Sequence, residues 1–79
     1  MVRKESQDIK ILRAVNRRKN QKTFEIARIG LDMFITHGDR CLRRLAELKL
    51  VVGERVEGKS YKQWNITQKG KEYLHSLNS

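Results

Sequence analysis

Residues 51–66, VVGERVEGKSYKQWNI, form the one run of this chain rich in β-branched and aromatic side chains, and Glu57-Gly58-Lys59-Ser60 breaks it midway with a turn signal. A two-stranded hairpin alone is at best marginally stable in water, so this ribbon must lay one face on an apolar partner. Most of the rest of the chain shows helical spacing, so that partner is a set of short helices. With Gly58-Lys59 as the two central turn residues, Val56 faces Tyr61, Gly53 faces Trp64 and Val51 faces Ile66. Val51, Trp64 and Ile66 then share the side of the ribbon that packs on the helices. That placement favours Trp64 as a core residue over an exposed stacking platform. Tyr61 lies on the opposite side, where it covers Val56 or presents its ring for stacking.

Four helices surround the ribbon. Ser6 is an N-cap candidate for the first, about 6–18, with Ile9, Ile11, Leu12 and Val15 on one broad side. After the polar break NRRKNQK, Thr23 opens a short second helix, about 23–30, facing inward through Phe24, Ala27 and Leu31 or through Ile26, Ile29 and Leu31. The stretch GLDMFITHGD is apolar without a period and must hold a tight, buried turn. Thr36, with Asp39 three residues on, resembles a capping box for a third helix, about 37–49. On that helix Cys41, Leu42, Leu45 and Leu48 share one face; Arg40, Arg43 and Glu47 share the other, with Arg44 on its flank. After the ribbon at 51–66, Thr67 caps a last helix, about 67–77, with Tyr73, Leu74 and Leu77 inward and Gly70 permitting close packing. The expected architecture is a single α+β domain over residues 1–79, with no linker, repeat or low-complexity segment.

Charge narrows the partner. Eighteen Lys and Arg against nine Asp and Glu leave a formal +9, a field that concentrates polyanions. Nucleic acid comes ahead of an anionic membrane surface, and no membrane partner is expected: no apolar run nears the roughly 20 residues of a spanning helix. The N-terminus lacks a signal-peptide core, so the expected location is cytoplasmic, associated with the nucleoid. The basic excess sits at the front: residues 1–22 hold eight Lys and Arg against two acids. Within them Arg17, Arg18, Lys19 and Lys22 form a cluster that suits either phosphate contact or simple solvation of a helix end.

Chemistry is sparse. A chain of 79 residues buries only about 60% of its unfolded surface, which leaves little room for a deep substrate cleft. No Ser/His/Asp set, Gly-rich phosphate loop or HExxH motif is present, so an enzyme is not expected. Cys41 is the sole cysteine; with His37 and His75 it falls short of four zinc ligands, and neither metal nor cofactor is expected. On the apolar face of its helix it reads as a small buried hydrophobe rather than a redox sensor.

Two motifs carry a family resemblance. The run CLRRLAELKLVVGER resembles the exit of a winged-helix recognition helix into its first wing strand, and WNITQKGKEYL is similar to the wing end and following helix of MarR-like and PadR-like regulators. The resemblance implies a winged helix: a three-helix bundle with a helix-turn-helix, a β-hairpin wing and a C-terminal helix. It further implies a small prokaryotic or phage transcriptional regulator, stand-alone or an excised domain, that binds double-stranded DNA through helix three in the major groove. Thr36, His37, Arg40, Arg43 and Arg44 would then face DNA, Arg40 and Arg43 reading bases and Arg44 gripping phosphate. Arg55, Lys59 and Lys62 of the wing would touch the backbone. For the helix arginines a merely solvated face is the lesser alternative, whereas the wing cations serve equally well as edge-strand protection. Three departures stand out. The connection IGLDMFITHGD reads one residue long, Lys49 stands where a glycine is common, and the flanking helices through which such regulators dimerise are missing. Two other functions stay open: a winged-helix adaptor with a protein partner, exposing an apolar patch around Met33, Phe34 and Leu77, and non-specific DNA or RNA binding by the basic N-terminal third. A weak homodimer through the last helix is a further alternative.

Overall fold

A computed structural model describes residues 6–78. Helix α1 (Gln7–Arg17) is followed by a short strand β1 (Gln21–Lys22), a π-wound segment (Glu25–Gly30), helix α2 (Ile35–Glu47), strands β2 (Val51–Arg55) and β3 (Lys62–Ile66), and helix α3 (Gln68–Asn78). The strands make one antiparallel sheet in the order β1-β3-β2. Val51 pairs with Ile66, Gly53 with Trp64 and Arg55 with Lys62, the register that the hydrophobic alternation dictates.

The core lies between the helices and the inner face of this sheet. Ile11, Leu12 and Val15 of α1 meet Cys41, Leu42 and Leu45 of α2, and Val51, Trp64 and Leu74 close the assembly. Trp64 anchors it: burying an indole removes on the order of 200 Å² from water, worth about 5 kcal/mol at 25 cal/mol per Å². Its ring lies across Gly53, where an added Cβ would come within 2.6 Å of the indole. The indole Nε1–H donates to Thr23 Oγ1 at 2.8 Å, so the polar edge is satisfied.

Local chemistry explains the boundaries. Ser6 caps α1, its Oγ accepting from Ile9 N–H at 3.3 Å. Thr67 precedes α3; its Oγ1 accepts from Gly70 N–H at 3.0 Å, and the hydroxyl lies 2.7 Å from the Lys49 carbonyl. Gly70 itself touches the Leu50 carbonyl so closely that any side chain there would collide with it.

Five features differ from the reading of the sequence. First, the polar break after α1 contains a strand, β1, held by tertiary bonds rather than by its own β propensity. Second, the second helix, expected as α over 23–30, is π-wound over Glu25–Gly30; a π turn takes an extra residue, which accommodates the long connection. It buries Ile26 and Ala27 and leaves Phe24 and Ile29 exposed, so neither expected inward set holds. Third, α2 starts at Ile35, not 37, with Phe34 at the cap position and no side-chain cap. Thr36 is therefore inside the helix, and Asp39 pairs with Arg43 instead of capping. Fourth, the hairpin turn centres on Glu57-Gly58: Lys59 N–H donates to the Val56 carbonyl at 3.0 Å with Gly58 at φ 76°, as a type II turn requires. Fifth, of the three residues expected inward on the last helix only Leu74 is buried; Tyr73 and Leu77 are exposed.

Candidate nucleic-acid interface

The outer face of α2 and the far half of the hairpin together wall a groove of about 670 Å³. Alternation along the ribbon places Arg55 and Lys62 on the same side as Val51, Trp64 and Ile66, but beyond the core, where that side turns towards α2. From α2 come Ile35, Thr36, Asp39 and Arg43; from the chain around β1 come Lys22, Thr23 and Phe24; Ser60 and Tyr61 complete the hairpin wall. Four of these side chains are cationic and one, Asp39, is acidic. Arg55 and Lys62 stand directly opposite each other in the ladder, a like-charge pair that costs stability until an anion lies between them.

Arg43 is oriented by the acid one turn before it. Its Nε donates to Asp39 Oδ2 at 2.9 Å, while the side chain stays 68% exposed. An exposed pair one helical turn apart adds only about 0.3–0.5 kcal/mol of stability. Its larger effect is orientation: with Nε engaged, the terminal guanidinium nitrogens remain as donors. Lys22 places its ammonium 4.3 Å above the Tyr61 ring, and Lys62 sits 5.8 Å from the Trp64 ring, so both cations are braced against aromatic faces.

The other candidate residues go elsewhere. His37 turns towards α1, against the Gln7 side-chain oxygen, with its Nε2 3.9 Å from Cys41 Sγ. Arg44 reaches Asp8 of α1 at 3.5 Å, tying the helices together. Arg40 is exposed on α2 and Lys59 at the hairpin tip, both outside the groove lining. Arg17, Arg18 and Lys19 line a different cavity, at the base of the sheet. The structure thus gathers Thr36, Arg43, Arg55, Lys62 and Lys22, and adds Phe24 and Ile35, whose position the sequence did not disclose. The Asp39–Arg43 pair was legible as an i, i+4 spacing.

Cys41 is buried at the α1–α2 contact. Burial pushes its thiol pKa up from the ordinary 9.0, helped by a hydrogen bond to the Asp8 carboxylate and by that charge, while Arg44 and Arg40 pull the other way. It is a neutral core thiol at physiological pH. Among the described residues no three His, Cys, Asp or Glu side chains gather to hold a metal ion, and no helix is long and apolar enough to cross a membrane.

Two solved structures share this arrangement. The transcriptional regulator SlyA aligns with a TM-score of 0.75 over 92% of this chain and 51% of its own, at 23% identity. ZitR of Lactococcus lactis, a zinc-responsive MarR family member, aligns with a TM-score of 0.72 over 96% of this chain and 54% of its own, at 19% identity. The fold is a MarR-like winged helix. The π-wound segment and α2 are its helix-turn-helix, and β2–β3 is its wing, with β1 completing the small sheet at the wing's base. This winged helix spans about half the length of both neighbours. No family model and no curated protein sequence matches it.

Proposed function

We propose that this winged helix binds double-stranded DNA as a transcriptional regulator, laying the outer face of α2 in the major groove with the wing against the flanking backbone. One observation carries the reading: a single groove joins Thr36 and Arg43 of α2 to Arg55 and Lys62 of the wing and to Lys22. That arrangement suits a base-reading helix flanked by phosphate-gripping cations. Arg43, steadied by Asp39, reads guanine through its free donor fork. Arg55 and Lys62 take the phosphates, and Lys59 follows from the wing tip. Arg40 meets the duplex from the exposed side of α2; His37 and Arg44 act from behind it, positioning the helix on α1.

The test is an amide chemical-shift titration of the labelled protein with a mixed-sequence duplex of about 16 base pairs, at low and moderate salt. Salt-sensitive shifts at residues 36–43 and 55–62 are expected. Their absence at both salts would overturn the reading. The adaptor function would then lead, since Phe34 and Ile29 are 78% and 70% exposed beside α2 and offer apolar anchors to a protein partner.

A further inference from the structure

The cations at the end of α1 belong to a second concavity, about 500 Å³, that shares no lining residue with the groove. Arg17 approaches from the end of α1, Arg18 and Lys19 from the turn after it and Lys71 from α3, with Glu54 as the one acid in the lining. The groove is walled by α2, which contributes nothing here; this cavity is walled by α1 and α3, which contribute nothing to the groove. Arg43 and Arg44 each have a carboxylate partner. Among the described residues none of the four cations at the base of the sheet does.

The backbone beneath these cations is pinned. Asn20 adopts φ 59°, a left-handed conformation asparagine tolerates. Its N–H donates to Asn65 Oδ1 at 2.9 Å, and Asn65 Nδ2 returns a bond to Asn20 Oδ1 at 2.9 Å. Gln21 Nε2 donates to the carbonyls of Ala14 at 2.7 Å and Arg18 at 3.2 Å. Of the last four carbonyls of α1, those of Ala14 and Val15 thus already have a side-chain donor. Three successive cations on a fixed turn are more positive charge than the partial negative charge of one helix end calls for. Arginine forks match phosphodiester oxygens in geometry and charge.

We infer that this cavity is a second phosphate-backbone site, so that one molecule holding a duplex in its groove clasps a second duplex segment behind it. This rests on duplex binding by the groove. To test it, a bead-bound duplex is saturated with the full chain, washed, and offered a fluorescent duplex. Capture of the second duplex, decaying steeply with salt, is expected. The R17A/R18A/K19A variant should load onto the beads like the wild type yet capture nothing above beads without protein. Lys71→Glu, from a different helix, should lower capture too. All these side chains are exposed, and an unchanged thermal melt confirms that the variants fold. Wild-type loading without capture, or undiminished capture by the triple variant, overturns the second site and leaves the groove reading intact. Failure of the wild type to load overturns both.

Discussion

Lys49 follows α2 with φ 66°, in the left-handed region that costs a residue with a Cβ roughly 1 kcal/mol. The conformation is imposed by the helix end: Leu50 N–H donates to the Leu45 carbonyl and Lys49 N–H to the Ala46 carbonyl, both at 3.0 Å, a Schellman motif with Lys49 at its glycine position. The missing glycine was visible in the sequence, but its strain was not, because only the chain's return towards β2 fixes that dihedral. Lys49→Gly should therefore raise stability by about 0.5–1 kcal/mol, read as a higher denaturation midpoint at unchanged slope. Cys41 gives a pH signature. Its folded thiol keeps its proton to higher pH than the unfolded one, so folding takes up protons above the ordinary value of 9.0 and stability falls as pH rises through that range. Urea unfolding from about pH 8 to 10 should show a shallower loss in Cys41→Ala than in the wild type. The wild-type thiol should also resist alkylation until the protein unfolds.

Elements were legible where one period ran uninterrupted. The inner face of α2 through Cys41, Leu42 and Leu45, the wing register and the Thr67–Gly70 start of α3 all follow from alternation, helical spacing and capping chemistry; Leu48, expected on that inner face, falls at the helix cap and is exposed, because α2 ends at Glu47. The π-wound segment and β1 were not legible, since each is decided by contacts across the fold. The helix-turn-helix closes where an added Cβ on Gly38 would lie 2.5 Å from the Ala27 Cβ, an approach that no local pattern announces. Strand β1 exists because Asn20, Gln21 and Thr23 find partners on β3 and α1. Gly70→Ala should cost roughly 1–3 kcal/mol by driving α3 off the Leu50 carbonyl. Asn20→Ala should act more locally, speeding amide exchange in β1 and loosening the turn that carries Arg18 and Lys19.

For the whole molecule, a net charge of +9 indicated a polyanionic partner without saying where that partner lies. The answer depends on which cations are already engaged by acids. Composition hides this; Asp39 and Asp8 reveal it. If α2 reads bases while the wing holds backbone, two substitutions separate. Arg43→Ala should cost about 1–3 kcal/mol on a preferred duplex and relax its preference. Lys59→Ala should weaken all duplexes alike and reduce the salt slope by about 1. Anisotropy titrations at several salt concentrations decide it, and equal effects of both changes on every sequence would exclude base reading.

Helix α2 divides its labour between two faces. Gly38, Cys41, Leu42 and Leu45 are committed to the interior, whereas Thr36, Arg40 and Arg43 are exposed and support nothing beneath them. The text that such a helix presents can accordingly be rewritten without renegotiating the architecture. A library randomised at those three positions, proline left out, should remain folded almost throughout, at a cost of no more than the roughly 0.3–0.5 kcal/mol of the Asp39–Arg43 pair.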